Sequence, residues 1–199
     1  MHHWRASIVG ETMKNKNYKF KYFKNFAAFK PLLQDVYEYI TIQLEKKNGD
    51  SHDLDHIIRV ASISSSLALQ LNAAVDVVLL AALFHDVARP LEDETGKCHA
   101  ELGANAASEF LKRYNNPELV NDVSSAIRSH RFSKKIEPKT LEGKILKDAD
   151  MLDALGSIGL YRVLSFSIEH NRNFQATHQH FYDKLLHNRM SHRPISLFL

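Results

Sequence analysis

The 199-residue chain is poor in the residues that punctuate or staple a fold: one cysteine, one tryptophan, seven glycines and five prolines. The lone Cys98 excludes an intramolecular disulfide and a cysteine-rich zinc cluster, and it fits a reducing compartment, so the cytoplasm is the expected location. So little glycine and proline argues against a β protein with many turns. Long apolar runs are missing too. Val77 to Phe84 is the best, and it falls far short of the roughly 18 residues of a membrane span. The first twenty residues lack the apolar stretch of a signal peptide. A soluble chain with no membrane partner is expected. No GxxxxGK[ST] phosphate loop, GxSxG elbow or HExxH zinc helix occurs, and Cys98 has no evident activating partner. Charge of one sign is not concentrated: 26 basic and 23 acidic residues give a net +3, spread along the chain. That is mildly attractive to phosphates, and no nucleic-acid partner is expected.

What remains is a helical pattern, so the predicted fold is all-α, a single-domain helical bundle. Residues 1–24 read as an N-terminal arm, or as an upstream extension before a start at Met13, and residues 25–199 as the domain. Apolar residues recur at helical spacing from Phe26 to Lys46, with Pro31 in the first turn. After the Asn-Gly loop, with Asp50 or Ser51 as cap, a second helix is predicted from Leu54 to Leu71. Asp76 to Ala88 is apolar on nearly every face, as a central bundle helix must be. LEDETGK reads as an acidic loop. Further helices are predicted over His99 to Tyr114, Pro117 to His130, from about Leu141 or Asp148 to His170 with Glu142-Gly143 and Gly156 as weak points, and Thr177 to His187.

The unusual abundance is histidine, 12 residues. His52, Asp53, Asp55 and His56 begin one predicted helix, His85-Asp86 ends another, and Asp148, Asp150 and Asp153 lie near the start of a third. Mixed imidazole and carboxylate groups suit a divalent cation such as Mn, Fe, Co, Ni, Zn or Mg. The dipeptide His-Asp alone says little, because composition predicts roughly 0.7 occurrences by chance and two are present. Position says more. His85-Asp86 closes the run VVLLAALF, where an unpaired imidazole and carboxylate would cost several kcal/mol.

The ordered blocks HDLDHIIRV, AALFHDVARP and KDADMLDALG, within about residues 50–172, resemble the HD-domain superfamily of metal-dependent phosphohydrolases. They are similar in particular to small stand-alone members reading HDxxHxxRV, HD and DADxLDALG. The resemblance implies His56, His85, Asp86 and Asp150 as metal ligands. It implies His99 and His130 as holders of a second metal or of substrate phosphate. Water on the metal, oriented by Asp86 as catalytic residue, would attack phosphorus. Arg89, after the signature pair, is placed to meet an anion, against ordinary surface exposure. His52 is one helical turn before His56, so it is a candidate supporting residue or a cap. Asp53 can favour the helix start or orient an imidazole. Asp153 can hold a ligand or a water, Asp148 reads as a cap, and Arg59 as an ion-pair partner. Glu92, Asp93 and Glu94 are candidate general acids or bases by proximity. His170, His178, His180, His187 and His192 read as solvent-facing. A nucleotide is the expected substrate. The alternatives are a two-metal phosphodiesterase for cyclic or dinucleotides and a non-catalytic nucleotide-binding module. A homodimer is permitted by apolar residues in the arm and in the terminal SLFL.

Overall fold

The structure, a computed structural model, describes residues 17–45, 54–131 and 136–181. Among them are nine α-helices, a single 3-10 turn and no strand beyond one isolated bridge between Lys19 and Ala74. The helices are α1 (Phe26–Leu44), α2 (Leu54–Gln70), α3 (Val75–Phe84), α4 (Arg89–Thr95), α5 (His99–Leu111), α6 (Pro117–His130), α7 (Leu141–Asp153), α8 (Gly156–Glu169) and α9 (Phe174–Phe181). No single helix among the described residues is long and apolar enough to cross a membrane.

All ten residues of α3 are buried. A helix apolar all round has no solvent face to offer, so it becomes the axis of the bundle. Helices α1, α2, α5, α6 and α7 pack around it. The helix α5 approaches closely because its inner face is small: Ala100, Gly103, Ala104 and Ala107 are all buried. Side-chain caps start several helices. Asn25 accepts from the Ala28 N–H, Asn116 from Leu119 and Thr140 from Gly143, each satisfying a backbone donor the first turn leaves over. The segment before α1 is pinned to the axis. The backbone N–H groups of Lys21 and Tyr22 donate to the buried Asp76 carboxylate at 3.0 and 2.6 Å, and Phe23 packs on Phe29 with ring centroids 4.9 Å apart.

Five readings are corrected. Pro31 falls in the second turn of α1, because that helix begins at Phe26. The central helix stops at Phe84, so His85 to Ala88 form a turn that is itself buried. The acidic stretch after Pro90 is the helix α4, closed by Gly96 at φ 68° in the left-handed region. The helix drawn through to His170 is broken after Asp153, beside the weak point read at Gly156 but not at Glu142-Gly143, which lies inside α7, and α8 leaves α7 at a bend of 81°. Asp148 lies inside α7, buried, and Thr140 is the cap. The caps read at Asp50 and Ser51 lie outside the described residues, as do the arm before residue 17 and SLFL.

Candidate metal centre

The end of the apolar axis is where the polar groups gather. The turn after Phe84 carries His85 and Asp86, both buried, at the C-terminal end of α3. Its unsatisfied carbonyls favour positive charge there. Helix α2 brings His56, α7 brings Asp150 and Asp153, α5 opens with His99 and α6 closes with His130. His52 and Asp53 lie outside the described residues.

The imidazoles have a common arrangement. Each uses Nδ1 to donate to a fixed acceptor: His56 to Asp153 Oδ2 at 2.8 Å, His85 to the Ala82 carbonyl at 2.7 Å, His99 to Glu92 Oε2 at 2.7 Å and His130 to the Ile127 carbonyl at 2.6 Å. With the Nδ1 proton committed, Nε2 carries a lone pair. All four Nε2 atoms face the Asp86 carboxylate. Those of His56 and His85 lie 3.6 and 3.7 Å from Oδ2, and those of His99 and His130 lie 3.4 and 3.7 Å from Oδ1. Two groups of cation-holding geometry result, His56 with His85 and Asp86, and His99 with His130 and Asp86. Asp150 adds an oxygen 3.4 Å from His56 Nε2.

Electrostatics agree with a cation cradle. Burial pushes His85 down to about 3 and His99 down to about 4, so both are neutral donors of lone pairs at pH 7. Burial alone would also lower His56, but its hydrogen bond to Asp153 and the nearby negative charge of Asp86 carry it above the ordinary imidazole value. His56 Nε2 and His85 Nε2 are only 3.2 Å apart. Two lone pairs at that separation require a positive charge between them, either a proton or a cation. His99 Nε2, buried and without a hydrogen-bond partner, is the same requirement unmet. The residues therefore fit a divalent cation bound by nitrogen and carboxylate oxygen.

Around this cradle stand residues that fix it. Asp153 takes His56 on one oxygen and Arg59 on the other at 2.7 Å, and Arg162 reaches the His56-facing oxygen at 2.7 Å. Burial would raise Asp153, but His56 and Arg59 hold it well below the ordinary carboxylate range. Arg59 is thus the ion-pair partner its position suggested. Arg89 lies with Nε 3.2 Å from Asp86 and Nη1 3.1 Å from Glu92, partly open to solvent. Glu92 is not a free acid or base. It binds His99, Arg89 and, at 2.6 Å, Arg131, and against the effect of burial these hold it down at about 2, a permanent anion at neutral pH. Glu94 is exposed and the Asp93 side chain is outside what is described. Arg131 also donates to Cys98 Sγ at 3.3 Å. Burial opposes it, yet that bond lowers the thiol, an activating partner the sequence did not disclose. His170 and His178 face solvent as read. The side chain of His180, and His187 and His192, are outside the described residues. The sequence reading missed Arg131 and Arg162, neither of which has a spacing signal.

The family model described as HD domain matches residues 53–155, just over half of the chain. A predicted HD superfamily hydrolase from an uncultured Thermotogales bacterium is 38% identical, with a TM-score of 0.60 over 67% of this chain and 75% of that one. Bacillus subtilis YpgQ is 28% identical over 143 residues, 69% of this chain and 70% of its own. Its crystal structure in complex with ADP has a TM-score of 0.66 over 85% of this chain and 86% of that one. Ribonuclease Y of Finegoldia magna is 33% identical over 101 residues, of which this chain spans 18% of the whole enzyme.

Proposed function

The chain belongs to the HD domain family and is a metal-dependent phosphohydrolase; on that premise we propose that it hydrolyses a phosphoanhydride or phosphoester bond of a nucleotide. His56, His85, Asp86 and Asp150 would hold the divalent cation, Mn, Fe, Co, Ni, Zn or Mg. The observation that carries this reading is the convergence of four imidazoles, each with Nδ1 tied off, on the two oxygens of Asp86. A divalent cation held in such a cradle would supply Lewis acidity and make an attacking water more acidic.

The chain's own groups do the rest. Asp86, its carboxylate facing both imidazole pairs, orients the attacking water. Arg89 sits at the edge of the cradle, partly exposed and joined to Asp86 and Glu92. Burial opposes its charge, but those carboxylates raise its pKa further, so it stays cationic and meets the substrate phosphates. Glu92 fixes His99 and Arg89 and keeps Arg131 at the same rim. Support for a nucleotide comes from YpgQ, a relative seen in complex with ADP. A second reading is favoured by a specific feature. His99 and His130 converge on the other oxygen of Asp86, as a second cation in a phosphodiesterase would need.

The test is elemental analysis of purified protein, followed by a panel of nucleoside triphosphates, diphosphates, cyclic nucleotides and dinucleotides with Mn2+ or Co2+. Bound transition metal, phosphate release from a nucleotide, and loss of both in His85→Ala and Asp150→Ala are expected. Metal-free protein with no phosphate release under added metal would leave only a silent nucleotide-binding module. Turnover confined to phosphodiesters, and abolished by His99→Ala, would favour the second reading.

A further inference from the structure

Beyond the metal centre, the feature of the described surface most in need of an occupant is α8. Ile158, Leu160, Tyr161, Leu164 and Ile168 are all at least 45% exposed, Tyr161 and Ile168 at 70% and 77%. At 100° per residue these five span an arc of about 160° on one side of the helix. A stripe that wide ordinarily faces a core. Here the core lies on the other side, where Gly159 and Ser167 are buried and Arg162 reaches Asp153. Apolar surface collected in one patch marks an interaction site, whereas single exposed residues do not.

We propose that α8 is the interface of a homodimer, two copies packing antiparallel across a twofold axis that passes beside Leu164. Two observations choose a second copy over another partner, and a third adds to its area. The row Leu160, Leu164, Ile168 has the spacing i, i+4, i+8, so it reads the same in both directions. A twofold sets Leu164 against its own counterpart and Leu160 against Ile168, the self-complementarity an isologous contact demands. The arc also carries no charge. Its other members are Ser157 and Ser165, so two copies meet without like charges opposed, and a charged partner would find nothing to pair with. Finally, Phe174, 84% exposed where α9 begins, lies close along the chain and can extend the contact. A helix of 14 residues is only about 21 Å long. The contact is therefore at the small end for specific interfaces, and a dissociation constant of order 10 µM is expected.

The experiment uses the full chain in multi-angle light scattering from about 1 to about 300 µM, a range bracketing that constant. The mass should rise from 22.8 kDa towards twice that value. Leu164→Glu, which opposes two carboxylates at the axis, should stay monomeric with an unchanged circular dichroism spectrum. In a Cys98→Ser background, Leu164→Cys should oxidise to a disulfide-linked dimer, because only a residue beside the axis meets itself. Glu109→Cys, on the exposed face of α5, should not. A mass that stays at 22.8 kDa throughout would overturn the proposal. So would a dimer that survives Leu164→Glu, or equal cross-linking at both cysteine positions. A monomer that co-sediments with phosphatidylglycerol vesicles would assign the stripe to a lipid surface. A monomer whose α8 amides resist hydrogen exchange would assign it to residues 182–199. Both outcomes also overturn the dimer.

Discussion

Asp153 shows what one side chain does when it touches several others. It accepts from His56 Nδ1, Arg59 Nε and Arg162 Nη1, all within 2.8 Å. A carboxylate behind a ligand imidazole fixes the tautomer and raises ligand basicity. Asp153→Asn keeps the shape but removes the charge. The amide can turn its own N–H toward His56, which then no longer has to present a lone pair at Nε2. A 10–100-fold loss of Mn2+ affinity is expected, the range typical of such supporting groups, measured by titration calorimetry. Unchanged affinity would show that His56 needs no orientation. The four proposed ligands were readable because each belongs to a short local block in a characteristic order. Glu92 was readable only as a nearby acid, because pairing with His99, seven residues on, and Arg131, thirty-nine residues on, is a tertiary fact.

At the scale of elements, periodicity located most helices but not their ends. The turn His85 to Ala88 keeps Val87 and Ala88 buried, so hydropathy continues across it and conceals where α3 stops. Charge misled in α4. A run of acids looks like a loop, yet leucine, glutamate and threonine there close one short helix ended by Gly96. The bend after Asp153 explains why Arg162 was missed. In an unbroken helix nine residues separate the two by about 13 Å, whereas the 81° turn lets Arg162 fold back to 2.7 Å. Close packing sets another element. A Cβ built on Gly103 would meet the carbonyl oxygens of Phe84 and His85 at 3.1 and 3.2 Å. These atoms are backbone and cannot swing aside. Gly103→Val should therefore push α5, which carries His99, away from the signature turn. The expected cost is about 1–3 kcal/mol of stability, seen in urea unfolding. His99 should lose its place before His85 does, so phosphodiester turnover, if present, should fall with stability. A variant as stable as the parent would mean that α5 can slide without strain.

For the whole molecule, the candidate metal centre is also a fold constraint. Four helices and one turn contribute buried polar groups to it: α2, the turn after α3, α5, α6 and α7. Without a cation, His85 and His99 are buried neutral bases, and the 3.2 Å approach of His56 and His85 must be satisfied by a proton. The unfolded chain does not assemble this donor set, so a cation binds the native state preferentially and its binding energy adds to stability. At 100 times its dissociation constant that addition is about 2.7 kcal/mol. For a domain of this length each kcal/mol moves the melting temperature by about 2–4 °C. Mn2+ added to chelator-treated protein at pH 7.5 should therefore raise Tm by roughly 5–11 °C. His85→Ala should flatten the response, because it removes a lone pair while leaving the rest of the bundle intact. The same titration at pH 5 should give a smaller shift, because His56, with its pKa above the ordinary imidazole value, is then protonated and the cation must displace that proton. A parent Tm indifferent to Mn2+ would mean that the convergence on Asp86 is held by protons alone, and the cation would lose its structural role.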